Sequence, residues 1–194
     1  MVVCATAATG CGGEERVDDR VVPVTASSGR ADTSTATTVP AATSTTLPQV
    51  EGVDPKMVES VWDGYVAAQR AFDKAAATPN PNDPEIAATY TNAMLDSTTK
   101  DLRAFADEGQ SVSYPAASLH TARLERLKVL GPQIVQIDVC LRDDAIVAVK
   151  ASGEIIDDDS VVKFSRDELI LEDGHWKSAG RHRRVAVEGE CVGV

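Results

Sequence analysis

Four cysteines, Cys4, Cys11, Cys140 and Cys191, are the most reactive side chains in this chain of 194 residues. A thiolate can attack, ligate a metal or cross-link, and spacing decides which. No pair stands at the short interval of a zinc site, so no metal is expected there. Arg181-His182-Arg183-Arg184 is the one basic cluster. In a strand, Arg181 and Arg183 share one side, while His182 and Arg184 share the other. Such a cluster either guards a sheet edge and balances acidic neighbours, or receives an anionic ligand or partner. Asp157-Asp158-Asp159, with Asp143-Asp144, lacks the glycine and terminal glutamate of a calcium loop. No phosphate-cradling loop or nucleophile elbow is present, and no cofactor is expected.

The formal net charge is −11, which opposes contact with a phosphate backbone. Aromatic residues make up 4% of the chain, too few for a base-stacking surface. No nucleic-acid partner is therefore expected. No apolar run approaches the roughly 20 residues that span a bilayer.

The chain opens with small and apolar residues ending in Ala8-Thr9-Gly10-Cys11. This resembles a bacterial lipobox, whose cysteine is acylated, with palmitate for example, and becomes the mature first residue. Acyl chains on Cys11 would hold the protein to a membrane, each buried methylene contributing about 0.8 kcal/mol. A secretory signal also has a basic n-region and a longer apolar stretch. Residues 1–11 therefore read as a truncated lipoprotein signal whose true start lies upstream. Residues 12–51 read as a disordered linker: between Thr25 and Leu47, twelve of twenty-three residues are Ser or Thr. Such a stretch has too little apolar surface to offset its ordering entropy. The expected location is the outer face of the cell membrane, lipid-anchored.

Residues 52–194 carry the folded domain. Asp54-Pro55 predicts a helix start, with Asp as cap and Pro at the first helical position. Val58, Val61, Trp62, Tyr65, Ala68 and Phe72 then form one face. Thr78–Asn82 breaks the pattern, and Asp83-Pro84-Glu85 predicts a second helix with Ile86, Tyr90, Ala93 and Met94 on its face. A third short helix is predicted over Ser97–Glu108, with Asp96 as its cap and Gly109 closing it. From there the period falls to two. Strands are predicted over Leu119–Leu130, Gln133–Arg142, Ala145–Lys150, Ser160–Leu171 and His175–Val187, with Ala151–Asp159 as a loop. Glu172-Asp173-Gly174 is a hairpin turn. Helices followed by antiparallel strands predict an α+β fold, with the helices packed on a curved, cone-like sheet.

Cys140 and Cys191 both fall at strand positions of a domain expected to be exported, which favours a disulfide. With fifty residues between them, closure would contribute roughly 4 kcal/mol. Two free thiols and a redox pair are the other readings.

The element order, ending in Asp173-Gly174-His175-Trp176-Lys177, resembles the nuclear transport factor 2-like (cystatin-like α+β cone) superfamily. The Asn80-Pro81-Asn82-Asp83-Pro84 break, the Val139-Cys140 and Asp143-Asp144 strand end and a cysteine near the C-terminus resemble its secreted lipoprotein members. The resemblance implies a Trp176 packed into the sheet and a cone that can enclose a pocket. Relatives that are isomerases or cyclases use an Asp or His base beside a Tyr donor. Groups that could face such a pocket here are Tyr65, Tyr90, Asp96, Tyr114, His120 and Asp138. Tyr65 also reads as a core residue, and His120 has no identifiable partner. Asp138 shares a strand face with Gln136 and Cys140, directed either to solvent or to the pocket.

No spacing reproduces an Asp/His dyad. The expectation is a non-enzymatic binding or protein-interaction module of the cell envelope, with another envelope protein or a small apolar ligand as partner. The alternatives are a cyclase- or isomerase-like enzyme acting on a small apolar carbonyl compound, and an accessory subunit of an envelope transport complex.

Overall fold

The structure, a computed structural model, describes Leu47 and residues 50–115, 121–187 and 191. Cys4, Cys11, most of the linker and His120 lie outside the described residues.

Three helices precede seven strands: α1 (Pro55–Ala77), α2 (Pro84–Thr89), α3 (Asn92–Asp107), β1 (Gln110–Ser113), β2 (Thr121–Gly131), β3 (Ile134–Asp143), β4 (Ile146–Val149), β5 (Ile155–Asp157), β6 (Val161–Glu172) and β7 (His175–Val187). The two Asp-Pro starts behave as their chemistry dictates. Asp54 Oδ1 accepts the Lys56 amide at 2.9 Å, and Asp83 Oδ1 accepts the Glu85 amide at 2.9 Å. Each satisfies an amide that the first turn would otherwise leave without a partner.

The strands form two antiparallel sheets. The larger runs β2-β3-β6-β7 and the smaller β1-β4-β5. The β6–β7 hairpin turns through Asp173 and Gly174 at φ 52° and 79°, the pair of positive values that an Asp-Gly type I′ turn supplies. Pairing between β6 and β7 slips at two points, so His182 and Ala179 are extra residues on β7. Such bulges bend a strand and curve its sheet.

The side chains of Val135, Ile137, Val139 and Leu141 on β3 meet Val58, Val61 and Tyr65 of α1, together with Leu124, Leu127, Leu169 and Trp176. Helices on one face of a curved antiparallel sheet make the α+β, cone-like arrangement the sequence predicts. Trp176 packs in this cluster, as the hairpin motif implies. A second apolar cluster gathers the far end of α1 (Ala68, Ala71, Ala75, Ala76) with Ile86, Tyr90, Met94, Leu102 and Val112.

Three predicted boundaries are corrected. The second helix stops at Thr89, because Tyr90 is extended and bridges Ser178 on β7, and the Thr91 amide donates to the Ser178 carbonyl at 2.9 Å. The third helix therefore starts at Asn92, five residues earlier than predicted, and Asp96 lies inside it rather than capping it. The expected loop at 151–159 contains β5, and β1 follows α3 where no strand was expected.

The Cys140–Cys191 disulfide is present, with a Cα–Cα distance of 5.7 Å. Cys140 is on an inner strand of the larger sheet, so the bridge ties the chain beyond β7 across β6 to β3.

Candidate functional site

Polar groups occupy the interior between the two apolar clusters. They come from α1, the α2–α3 junction and the inner face of β6 and β7. Register fixes that face: Val139 pairs with Ser165, Ile137 with Asp167 and Val135 with Leu169. Ser165 and Asp167 therefore point the same way as the apolar side chains that meet α1. Asp167 is 1% exposed. Its Oδ1 accepts from Arg181 Nε at 3.0 Å and its Oδ2 from Ser165 Oγ at 3.2 Å. Counted from the hairpin turn, the bulge at Ala179 sets Arg181 opposite Asp167, and the bulge at His182 then sets Arg183 opposite Arg166 in the backbone ladder. Strict alternation, which puts Arg181 and Arg183 on one side, is thus broken: they pair with neighbours on opposite faces. The basic cluster serves in part as a counterweight, through Arg181 on Asp167.

Tyr90 lies beside this pair. Its hydroxyl donates to the Ala68 carbonyl of α1 at 2.7 Å. Burial pushes its ionisation well above the usual tyrosine range; nearby Arg181 opposes that shift, and Tyr65, Asp73 and Asp167 add to it. Tyr65 is 1% exposed and stacks on Trp62 with ring centroids 5.3 Å apart. Further along the interior, Tyr114 Oη donates to Asp73 Oδ1 at 2.8 Å, and Lys163 Nζ meets Asp143 Oδ2 at 2.6 Å. Burial, then the Asp73 carboxylate, raises the Tyr114 hydroxyl far above its ordinary value.

The structure places Tyr65 and Tyr90 in the interior, with Tyr114 half-buried at its margin. Asp138 and Asp96 do not join them. Asp138 stands on the opposite face of β3 from Ile137 and Val139, so it meets neither the interior seam nor open solvent. It is 6% exposed because neighbouring side chains cover it. Arg166 grips both its oxygens, at 2.7 and 2.9 Å, and Arg126 approaches to 3.9 Å. Asp96 is exposed on α3 and lines an open groove of about 540 Å³ between α2 and α3.

Asp167, Ser165 and Asp73 were not anticipated. The inner positions of β6 read Lys163, Ser165, Asp167, Leu169, Leu171, and the outer ones Val162, Phe164, Arg166, Glu168, Ile170. Neither set is cleanly apolar, so alternation alone could not reveal a buried carboxylate.

Chemically, the seam is closed on itself. Both Asp167 oxygens, the Tyr90 hydroxyl and the Tyr114 hydroxyl are engaged within the protein. A second groove, of about 520 Å³, opens where Val50–Asp54 and Met57 face Leu127–Val129. Neither groove is lined by Tyr65, Tyr90 or Asp167. Among the described residues, no cluster of three His, Cys, Asp or Glu side chains could hold a metal ion, and no helix is long and apolar enough to cross a membrane.

No family model matches the chain, and no curated protein matches it. Solved structures do. The intermembrane space region of the chloroplast protein ARC6 superposes with a TM-score of 0.57 at 15% identity, covering 70% of this chain and 98% of that one. A ketosteroid isomerase-like protein from Erwinia carotovora atroseptica gives 0.43 at 12% identity, covering 65% and 93%. The Kfla4162 protein from Kribbella flavida gives 0.46 at 14%, covering 66% and 91%. At these identities the likeness speaks to fold alone, and only the first score is high enough to carry that argument.

Proposed function

We propose that the domain is a non-enzymatic binding and protein-interaction module of the cell envelope, held at the outer face of the membrane through a lipid on Cys11. One observation carries the reading: the inner-face carboxylate, Asp167, is consumed by Arg181 and Ser165 between two packed apolar clusters. A general base must reach a substrate proton with a free lone pair. Asp167 could do so only by giving up a buried ion pair, and breaking such a pair costs several kcal/mol. The surface fits contact with another protein better, since among the described residues the exposed large hydrophobic side chains gather in two patches, at Val129, Leu130 and Ile134 and at Ile155 and Ile156.

The rival reading is a cyclase- or isomerase-like enzyme, and it rests on Tyr65, Tyr90 and Asp167 sharing the interior. Trp176, 7% exposed within the interior cluster, supplies the discriminating signal. The chain is titrated with small apolar ketones up to about 1 mM, where even a weak ligand registers. Trp176 fluorescence and deuterium exchange beside the carbonyl are followed together. No saturable change and no exchange is the expected result. Saturable quenching with exchange that disappears in Asp167→Asn overturns the module reading in favour of the enzyme.

A further inference from the structure

Among the described residues, the exposed large hydrophobic side chains are Val129 (43% exposed), Leu130 (46%), Ile134 (36%), Ile155 (55%) and Ile156 (52%). They form two patches, one on each sheet. The first is the tip of the β2–β3 hairpin, beside Met57 in the first turn of α1. The second is β5, whose sheet reaches α1 at its other end, through Val112 against Ala75 and Ala76. The 23 residues of α1 separate these ends by roughly 34 Å at 1.5 Å per residue.

Both patches reach a sheet edge, with Ile134 alone on an inner strand, β3. β2 is the first strand of the larger sheet and β5 the last of the smaller. The other two edges are occupied: β7 pairs in part with Tyr90 and Thr91, and β1 lies against α1 and α3. An uncovered edge bearing apolar side chains is a template for pairing. Ile155 and Ile156 are adjacent and both more than half exposed, so β5 offers an apolar side chain on each of its faces.

The flanking charges are opposite. Glu154, Asp157, Asp158 and Asp159 surround β5, all exposed, with Lys150 as the nearest base in sequence. Arg126 and Lys128 lead into the hairpin tip, and the acid on that strand, Glu125, is paired with Arg123 at 2.6 Å. Glu51 and Asp54 stand on the far wall of the groove, with Lys56 in the first turn of α1, so the bases of the strand side are Arg126 and Lys128. Setting β5 against β5 opposes four carboxylates to four, and β2 against β2 opposes bases to bases. Only β5 against the β2–β3 tip brings unlike charges together while covering all five exposed hydrophobic residues.

We infer that copies of this chain associate head to tail, the acidic β5 patch of one seating on the β2 side of the β2–β3 tip of the next, where Arg126 and Lys128 stand. The inference names a partner for the interaction surface and rests on the module reading. Such a contact is heterologous, so it propagates to a ring or a filament rather than stopping at a symmetric dimer. A contact centred on five apolar side chains belongs among weak, concentration-dependent contacts.

Sedimentation velocity of the full chain over a wide concentration range tests it, with two variants: Val129→Asp with Leu130→Asp, and Ile155→Asp with Ile156→Asp. Each removes one patch at exposed positions, and an unchanged unfolding midpoint certifies the fold. The wild-type chain should gain mass with concentration and lose at least tenfold in affinity as salt is raised. Each variant alone should stay monomeric. Mixed, the two should give a one-to-one dimer and nothing larger, because one intact tip meets one intact β5. A wild-type chain that stays monomeric, self-association that survives either pair of substitutions, or a mixture with no dimer overturns the inference. A monomer that sediments with phosphatidylglycerol vesicles also overturns it and gives the tip to a lipid surface. Each of these failures leaves the module reading to the ketone titration, which does not depend on self-association.

Discussion

Replacing Gly64 with alanine measures how tightly α1 is seated on the sheet. In an exposed helix interior this change stabilises by about 1 kcal/mol, since glycine is the costlier residue there. At Gly64 the new methyl would stand 2.5 Å from the Trp176 carbonyl oxygen, 2.7 Å from its Cβ and 3.1 Å from its carbonyl carbon. These are main-chain and Cβ atoms of a strand, with no side-chain rotation to relieve them. For the contact to reach van der Waals distance, α1 must lift from β7 by about 1 Å. Val61 and Tyr65, 0% and 1% exposed, would lift with it. Overpacking of this kind costs about 1–3 kcal/mol, and a contact with rigid backbone belongs at the upper end. After the helix-propensity gain, a net loss of about 2 kcal/mol is expected, or roughly a 6–8 °C fall in Tm for a domain of this size. Urea unfolding followed by circular dichroism gives the free energy, and Trp176 emission should shift to longer wavelength as its contact loosens. Ala67→Gly, at an exposed α1 position, serves as the control and should lose only about 1 kcal/mol. A Gly64→Ala protein that is more stable than wild type, with unshifted Trp emission, would refute the close approach and with it the closed interior.

Asp167→Ala should destabilise by about 2–4 kcal/mol, below the full cost of breaking a buried pair because Arg181 retains some solvent contact, whereas Asp167→Leu with Arg181→Met should come within about 1 kcal/mol of wild type or exceed it. Chemical denaturation of the two proteins decides this, and equal losses would mean that the pair itself is not the cause. Tyr90 and Tyr114 ionise above their ordinary value in the folded chain, so they bind protons that the unfolded chain releases near pH 10. Stability from these groups is complete below about pH 10 and falls as pH rises beyond it. Tyrosinate absorbance of the native protein should therefore lag behind that of the urea-unfolded chain; coincident titration curves would contradict the burial of both hydroxyls. Thiol titration of unreduced, denatured Cys4→Ser, Cys11→Ser protein should find no free thiol, and adding Cys140→Ser with Cys191→Ser should cost roughly 4 kcal/mol for the loop that the bridge closes. Labelled palmitate should enter the chain expressed behind a complete signal sequence and not its Cys11→Ser variant; equal labelling would remove the lipid anchor.

Local rules in the sequence reach far into this fold. Asp54-Pro55 and Asp83-Pro84 start helices because the cap is a nearest-neighbour effect, and Asp173-Gly174 turns a hairpin because two adjacent residues carry the required φ. The start of α3 fails by the same measure. Tyr90 leaves the helix to pair with Ser178, 88 positions away in the chain, and no periodicity reports such a contact. β3 shows a second limit. Its alternation places Asp138 and Cys140 on one face and Ile137 and Val139 on the other, yet both faces are buried. Alternation says which residues share a face, but not what that face meets. Here α1 covers one face, while ion pairs and the disulfide cover the other.

The polar seam follows from the same two limits. Ser165 and Asp167 look unsuited to an inner face, and Val162 and Phe164 look better suited, so a slip of one residue in β6 would improve the apolar count near Val162. A slip of one residue turns every side chain of a strand to its other face. It would then bury Arg166 and Glu168 against α1 and expose Leu169 and Leu171. The Asp167–Arg181 pair opposes that slip, because Arg181 reaches the inner face only through the bulge at Ala179. Where a buried ion pair adds little net stability, its retention is best explained by the alternative pairing it penalises. On this argument Asp167 is a residue that fixes register, and its position in the interior carries no requirement for a substrate.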